Sequence, residues 1–438
     1  MLFRSGDEFR GAKAVVNERI PVRASVVREG HDALGVQVIL SNPQGEEVQR
    51  YLMREIWPGL DRFEGYVKPT GIGNWNFHIE AFDDPFHTWE HDCGIKIRAG
   101  IDEELCCAMG VEVFNYALDS NRNTLESKER KELEKVIKTL SDKNLNALSR
   151  FEFATRDEIK EIFHRNPTRR HIGNSLKYQL YVERERALFG SWYEFFPRSE
   201  GAIKNKDGSI TSGNFKTAIK ALERVSKMGF DVLYLPPIHP IGRKFRKGKN
   251  NSLTPDVDDP GVPWAIGSEF GGHDTVNPEL GTIKDFEEFV KAANKLNIEV
   301  ALDFALQVSP DHPWVSNHPE WFTTRPDGSI AYAENPPKKY QDIYPINFDK
   351  DYSGIKKEVV RILSFWIEKG IKIFRVDNPH TKPVIFWQEV IAEINSKNPE
   401  VIFLAEAFTR PAMMHSLGKA GFQQSYTYFT WQIGRAHV

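Results

Sequence analysis

Cysteine is scarce in this sequence: the chain of 438 residues contains only Cys93, Cys106 and Cys107. An odd number of cysteines, without the spacing of zinc ligands, argues against both a disulfide framework and a zinc site. No apolar segment of signal-peptide length follows Met1, and no run of about 18 apolar residues could span a membrane. We therefore expect a cytoplasmic protein with no membrane segment, no metal and no organic cofactor.

The sequence also lacks an excess of charge of either sign. Lys and Arg total 58 and Asp and Glu total 61, so the formal net charge is −3. This balance argues against a general binder of nucleic acids or membrane surfaces. The aromatic content of 12%, with ten Trp, is typical of carbohydrate-active enzymes, in which sugar rings stack on aromatic faces. A large hydrophobic core would give the same composition.

The first half of the chain reads as two small domains. Residues 33–40 and 75–81 show partial period-2 alternation, with Asn, Pro and Gly turns between them, which predicts a β-sandwich domain over residues 1–110. Residues 111–183 read as a helical insert. Within it, Asn123 followed by Glu126 resembles the capping box that begins a helix.

From residue 184 onwards, strand and helix patterns alternate. Strands are predicted at 192–196, 231–235, 299–303, 371–377 and 401–406, with a possible sixth at 425–429. Thr282, followed by Asp285, begins one of the intervening helices, and Gly229 and Gly370 end two others. Such βα repeats predict an α/β fold. We expect an incomplete (β/α)8 TIM-type barrel over residues 184–438, with an inserted loop region at about 308–350. An open doubly wound sheet is the alternative, but its G-x-G-x-x-G phosphate turn is absent.

The fourth predicted strand ends in Arg375-Val376-Asp377-Asn378. Because alternate residues of a strand share a face, Arg375 and Asp377 point the same way. A guanidinium favours the ionised form of a neighbouring carboxylate, which is the form that a carboxylate nucleophile needs. A buried structural ion pair would have the same spacing.

The fifth predicted strand ends at Glu406, between apolar neighbours. Partial burial there would raise the pKa of Glu406, which suits a general acid, although a glutamate at a strand tip could equally face solvent. Together, an ionised aspartate and a protonated glutamate on neighbouring strands match the two-carboxylate chemistry of retaining glycosidases.

These residues resemble a known family. Segments 301–307 (ALDFALQ), 374–380 (FRVDNPH) and 404–407 (LAEA) resemble the signature segments of the α-amylase superfamily, glycoside hydrolase family 13. Longer segments are similar to the bacterial α-1,4-glucan:maltose-1-phosphate maltosyltransferases: 187–198, 231–240, 264–274, 334–344 and 377–383. The resemblance covers about residues 15–431.

The resemblance implies an activity and a set of site residues. Maltosyl units would pass from α-maltose 1-phosphate to the non-reducing end of an α-1,4-glucan, with retention and release of phosphate, in α-glucan biosynthesis. Asp377 would be the nucleophile and Glu406 the general acid and base, with Arg375 beside them. The matching positions for the donor are Lys247, Gln307, Asp342, Asn378 and His380, and those for a phosphate-facing loop are Asn335, Lys338 and Tyr340. The resemblance also implies a homodimer formed through the amino-terminal domain.

Two basic loops agree with an anionic donor. Residues 243–249 (RKFRKGK) follow the second barrel strand, and 335–340 (NPPKKY) follow the third. Either loop alone would most often be a solvated surface. Two cationic loops above one barrel mouth favour a sugar phosphate, whereas neutral starch has no need of them.

One element of the family pattern is missing. Family 13 enzymes use a third carboxylate after the seventh strand, and residues 432–438 do not resemble the family's continuation. We therefore expect this chain to be a carboxyl-terminally truncated fragment that is inactive by itself. An α-amylase-type retaining hydrolase and an inactive glycan-binding fragment are the alternative functions.

Overall fold

The computed structural model describes residues 11–428, and the chain divides into two compact units. The first unit is Met1–Glu183 and the second is Arg184–Val438. Each unit is described separately below. The division of the first unit into two domains remains a prediction.

The first unit contains two β-sheets around an apolar core. In its described part the strands are β1 (Ala12–Val15), β2 (Ile20–Ser25), β3 (Leu34–Ser41), β4 (Glu47–Leu52), β5 (Arg54–Trp57), β6 (Arg62–Val67), β7 (Gly73–Asp83), β8 (Arg170–Asn174) and β9 (Tyr178–Glu183). One sheet has the order β1-β9-β7-β3-β4, with β8 beside β7, and the other has the order β2-β6-β5. Alternate residues of β3 and β7 bury Val36, Val38, Leu40 and Trp75 in the core, as the predicted period-2 pattern requires.

Five helices lie between β7 and β8 and have a core of their own. They are α1 (Pro85–Arg98), α2 (Glu103–Ser120), α3 (Ser127–Ser141), α4 (Ala147–Ala154) and α5 (Asp157–Arg165). Phe86, Trp89 and Phe114 are buried at the centre of this helical cluster. Asp84 accepts a hydrogen bond from the His87 amide and Pro85 occupies the first turn, which together begin α1.

Two predictions for this region were wrong in detail. Helices begin at Pro85, well before residue 111, because the Asp84-Pro85 cap lies directly after β7. Asn123 does not begin a helix. It lies in the turn after α2, where the amides of Thr124 and Leu125 donate to the Asn121 carbonyl. The helix α3 begins four residues later, at Ser127, and the Glu129 carboxylate accepts from the amide of its cap residue, Glu126.

The second unit contains the predicted parallel sheet. In its described part the strands are β10 (Trp192–Glu194), β11 (Ile203–Lys204), β12 (Ile210–Thr211), β13 (Val232–Leu235), β14 (Glu299–Phe304), β15 (Gln307–Val308), β16 (Ala333–Asn335), β17 (Lys338–Tyr340), β18 (Tyr344–Pro345), β19 (Ile373–Val376), β20 (Ile402–Ala405) and β21 (Gln424–Ser425). Strands β10-β13-β14-β19-β20-β21 form one sheet in this order, and all their pairings are parallel. This is part of a (β/α) barrel, so the predicted fold class is confirmed. Of the possible sixth strand, residue 429 lies outside the described residues, as do residues 432–438.

Helices cover the sheet and bury its apolar strands. They are α6 (Phe215–Ala218), α7 (Leu222–Lys227), α8 (Ile283–Lys295), α9 (Pro313–Asn317), α10 (Tyr352–Glu368), α11 (Val384–Lys397) and α12 (Pro411–Ala420). The predicted start of α8 is confirmed, because Thr282 and Asp285 form a capping box. Buried side chains of α8, α10 and α11 pack with those of the strands in one continuous core, which leaves the strand ends to carry the polar groups.

Candidate active site

Neighbouring strands bring three carboxyl groups to one edge of the sheet. Strand β19 lies between β14 and β20, with Asp303 opposite Arg375 and Val376 opposite Ala405. Asp377 and Glu406 each follow directly after their strands, and their amides continue the ladder by donating to Phe304 and Val376. The parallel register therefore places Asp303, Asp377 and Glu406 together at the carboxyl-terminal edge.

Arg375 joins the three carboxylates. One of its terminal nitrogens, Nη1, donates to Asp303 Oδ2 at 2.8 Å and to Asp377 Oδ1 at 2.9 Å. The other, Nη2, lies 2.6 Å from Glu406 Oε1. The side chains of Arg375 and Asp377 are each 8% exposed and that of Glu406 is 17% exposed. The predicted residues Arg375, Asp377 and Glu406 are thus in one largely buried cluster, where charge interactions are strong.

Asp303 was not among the residues predicted for the site, but it lies in the same cluster. Its side chain is fully buried. The Tyr234 hydroxyl and the Trp264 indole N–H, the latter at 3.3 Å, both donate to Asp303 Oδ2. A signal was present in the sequence: Asp303 stands near the end of its strand, as Asp377 and Glu406 do. Its contact with Arg375 depends on the order of the strands in the sheet, which cannot be read from the sequence.

Burial shifts the ionisation of two of these acids. The pKa of Glu406 is raised to about 8, chiefly by burial and also by a hydrogen bond with Asp377, while Arg375 opposes the shift. Burial also raises the pKa of Asp303 to about 7, against the effect of Arg375. Glu406 therefore holds a proton at neutral pH, and the shift of its pKa is upward, which is the direction predicted from its apolar neighbours. A protonated carboxyl group in such a position is suited to general acid chemistry.

The loop after β19 supports Glu406. Asn378 adopts a left-handed backbone conformation, with φ 43°, which Asn tolerates better than most residues. Its amide donates to Glu406 Oε2 at 3.3 Å, and the Thr381 hydroxyl donates to its carbonyl at 2.8 Å. His380 is half-buried in the same loop, and burial lowers its pKa. Asn378 therefore contacts the carboxylate cluster, and His380 lies two residues further along the same loop.

Lys247 and Asp342 form a second polar group of predicted residues. The Lys247 side chain is buried and donates to Gln341 Oε1 at 2.9 Å. Burial raises the pKa of Asp342, and Lys247 opposes that shift. Among the described residues, Asp342 Oδ1 is buried without a hydrogen-bond partner. Such an acceptor is open to a ligand's hydroxyl group.

The remaining predicted residues lie on short strands in the loops. Gln307 begins β15, which pairs with β18 through Pro345. Asn335 and Lys338 pair in the β16–β17 hairpin and are exposed. Tyr340 is half-buried and packs against a small apolar cluster of Ile241, Ala265 and Ile343. Within residues 11–428 no hydrogen bond or ion pair joins these four residues to the carboxylate cluster.

Two features of the described residues bear on other classes of function. Residues 11–428 contain no group of three or more His, Cys, Asp or Glu side chains that could hold a metal ion. Within the same range, no helix has the length and apolar character needed to cross a membrane.

Comparison with known proteins agrees with the site. A family model described as α-1,4-glucan:maltose-1-phosphate maltosyltransferase, domain N/S, matches residues 6–184. A maltosyltransferase of that name from Streptomyces coelicolor is 53% identical over 423 residues, which are 97% of this chain and 62% of that protein. Another, from Arcanobacterium haemolyticum, is 50% identical over 428 residues, which again are 97% of this chain and 62% of that protein.

Solved structures give only a weak superposition. A crystal structure of an α-amylase from Lactobacillus plantarum has 27% sequence identity and a TM-score of 0.41, over 53% of this chain and 48% of that one. At that score the superposition carries no argument about function. The two sequence relatives share about half of the aligned residues, over nearly all of this chain. The chain is thus similar over nearly all of its length to α-1,4-glucan:maltose-1-phosphate maltosyltransferases, and it spans 62% of the length of these two relatives.

Proposed function

We propose that this chain carries the donor-cleaving half of a maltosyltransferase that moves maltosyl units from α-maltose 1-phosphate to the non-reducing end of α-1,4-glucans. The observation that carries the proposal is the contact of Asp377 and Glu406 with one guanidinium, at 2.9 and 2.6 Å. Two carboxyl groups held this close are typical of retaining enzymes, because inverting enzymes leave room between them for a water molecule. The pathway would be α-glucan biosynthesis.

The reaction proceeds in two displacements. Asp377 attacks the anomeric carbon, the bond from that carbon to the phosphate oxygen breaks, and Glu406 gives its proton to the departing oxygen. A β-maltosyl ester of Asp377 results. Glu406, now ionised, then takes the proton of the acceptor's 4-hydroxyl group, whose oxygen displaces Asp377 from the sugar. Two inversions give net retention, and phosphate is the only other product.

The charges of the cluster suit these roles. Glu406 begins the cycle protonated, because burial raises its pKa to about 8. Asp377 accepts a hydrogen bond from the Arg375 guanidinium at 2.9 Å, which holds its carboxylate in place for the attack. Arg375 stays bound to both groups while Glu406 loses and regains its proton and the ester of Asp377 forms and breaks. One fixed cation therefore stabilises the negative charge wherever it lies during the cycle.

The donor pocket is proposed from the second polar group and the loops. Lys247, Asp342, Gln307, Asn378 and His380 would hold the two sugar rings, with the unpartnered Asp342 Oδ1 accepting from a sugar hydroxyl. The hairpin residues Asn335 and Lys338, which are exposed, and Tyr340, which is half-buried, would meet the phosphate. An α-amylase-type hydrolase acting on neutral starch has no use for such cations, which is why the transferase is favoured over that alternative.

The remaining attributes are also proposals. We expect a cytoplasmic protein that forms homodimers through its amino-terminal unit. The prediction that the chain is a fragment of a longer protein, with a third catalytic acid elsewhere, remains a prediction. Because the chain spans 62% of the length of two of its relatives, donor binding is the first property to measure on the chain itself.

The test is a calorimetric titration with α-maltose 1-phosphate and with maltose. We expect the phosphate ester to bind at least tenfold more tightly, because phosphate contacts with Lys are charge-assisted. Lys338→Ala should remove most of that preference, whereas Lys350→Ala, which also removes an exposed lysine, should keep it. Equal affinity for the two sugars would contradict the transferase, and release of reducing sugar from starch without any use of the phosphate ester would favour the hydrolase.

A further inference from the structure

Two histidines outside the carboxylate cluster form a buried hydrogen-bonded chain. His273 follows the glycine pair Gly271-Gly272, and His312 caps the amino-terminal end of α9. Both side chains are almost completely buried, at 2% and 3% exposure. Their rings meet through His273 Nδ1 and His312 Nε2, which lie 3.2 Å apart. The mechanism proposed above does not use either residue.

The hydrogen-bond partners at the two ends of this histidine pair determine which ring nitrogens carry a hydrogen. The Trp314 amide donates to His312 Nδ1 at 3.0 Å, so Nδ1 carries no hydrogen and the neutral ring carries its hydrogen on Nε2. At the other end, His273 Nε2 lies 2.8 Å from the Ala305 carbonyl, which can only accept, so this nitrogen carries the hydrogen of His273. The nitrogens between the rings then match, because His312 Nε2–H donates to His273 Nδ1. We call this chain of three hydrogen bonds the histidine relay.

The relay ends at the backbone that carries the donor site. The Ala305 carbonyl also accepts from the Gln307 amide at 2.9 Å, and Ala305 lies two residues after Asp303. His273 therefore donates to the turn that directs Gln307. The relay connects this turn to α9 through two rings that cannot rotate without losing a hydrogen bond.

The same rings hold the loop of residues 264–274. A Cβ atom on Gly267 would lie 2.2 Å from His312 Cδ2, and one on Gly272 would lie 2.2 Å from His312 Nε2, so the His312 ring rests directly on this backbone. Ser309 adds two hydrogen bonds to the loop, from its amide to Ile266 and from its hydroxyl to Gly267. Trp264, at the start of the loop, donates to Asp303.

The surroundings favour neutral rings. Burial lowers the pKa of His273 to about 4 and that of His312 to about 2. Four charged or titratable groups face these rings. The His239 ring centroid is 5.8 Å from that of His273, and Asp274 and Glu358 both bind Arg361. The fourth, Asp311, accepts from the amides of Arg243 and Lys244. A proton on either ring would set two donors against each other and break the relay.

We propose that His273 and His312 are positioning residues of the donor site: their neutral relay holds the Ala305–Gln307 turn and the Trp264 loop in the geometry that binds maltosyl phosphate. The proposal rests on the proposed function for the identity of the ligand. The relay itself rests only on the contacts. The residues act through Gln307 and Trp264 and do not touch the reacting atoms.

Two matched amide variants test the role. His273→Gln places an N–H near the position of Nε2 and can still donate to the Ala305 carbonyl, whereas His273→Asn is too short to reach it. We expect the Gln variant to bind α-maltose 1-phosphate within about threefold of the unsubstituted chain and the Asn variant at least tenfold more weakly. His318→Asn, at a partly exposed histidine that stacks on Trp321 outside the relay, should bind as the unsubstituted chain does.

Circular dichroism and a thermal melt identify any variant that does not fold. A positioning role is contradicted if folded Gln and Asn variants bind the donor equally well, since loss of packing would affect both. If the unsubstituted chain does not bind the donor, the proposed function fails and the positioning role fails with it.

A second measurement tests the relay without any ligand. In protein labelled with ¹⁵N-histidine, both residues should show the Nε2–H tautomer by NMR and keep it from pH 8 to pH 5, a range in which an exposed histidine takes up a proton. These signals support the relay even where donor binding is absent. An Nδ1–H tautomer on either residue, or protonation near pH 6.5, would overturn it.

Discussion

Maltosyl transfer is expected to fall by about 10⁴-fold or more when Asp377 is replaced by Asn. The amide has nearly the shape of the carboxylate and can still accept from Arg375, so the buried cluster should survive. It cannot form the glycosyl ester, because its oxygen is a poor nucleophile at the anomeric carbon. The measurement is phosphate release from α-maltose 1-phosphate with maltohexaose as the acceptor.

An exposed aspartate provides the matched control. Asp349→Asn makes the same chemical change at a surface position and should leave transfer within about twofold of the unsubstituted protein. Intact-mass detection of a maltosyl adduct, present with Asp377 and absent with Asn, connects the loss to the covalent step. If the Asp377→Asn protein keeps a tenth or more of its transfer rate, Asp377 is not the nucleophile and the paired-carboxylate mechanism is wrong.

The second large effect is on stability. Replacing Arg375 with Met leaves Asp303, Asp377 and Glu406 together without the guanidinium that all three contact. Removal of one partner from a buried ion pair costs about 3–5 kcal/mol, because the opposite charge remains buried. We expect the free energy of unfolding to fall by that amount at pH 8.5, as measured by urea denaturation.

This loss should shrink as the pH falls. The folded-state pKa values of Asp303, about 7, and Glu406, about 8, are raised above their ordinary values of 3.8 and 4.5. A raised pKa contributes stability that is fully present below the ordinary value and is lost as the pH rises through the folded value. The carboxylates therefore need Arg375 most above pH 8, and at pH 5.5 both acids are protonated, so the gap between the Met variant and the unsubstituted protein should be smaller.

Arg361 supplies the control for this experiment. It binds Asp274 and Glu358 but is half-exposed, so Arg361→Met should cost about 1 kcal/mol or less. A similar loss for Arg375→Met and Arg361→Met, or a loss at Arg375 that does not change with pH, would contradict the description of the cluster as a buried set of charges.

Some of the fold and site followed from local patterns. The period-2 rule predicted that Arg375 and Asp377 share a face, and they meet at 2.9 Å. Apolar neighbours predicted that the pKa of Glu406 is raised, and burial raises it. The Thr282–Asp285 capping box predicted the start of α8. Each of these features depends on residues within a few positions of one another, where spacing alone determines geometry.

Other features depended on information that spacing does not contain. The Asn123 cap was misplaced because a turn after α2 and a cap before α3 use similar polar residues. Asp303 was missed because its partner, Arg375, lies 72 positions later. Likewise, His273 stands in one of the segments that resemble the family, but its role could not be predicted, because its contact with His312 joins two loops.

The sequence by itself thus determined the βα alternation and the carboxylates at the strand ends, since these follow from residue types and short spacings. Only the tertiary structure decided which charges share a partner and which buried rings are neutral. The order of the parallel strands sets the distances between side chains far apart in sequence, and burial sets the cost of a charge there.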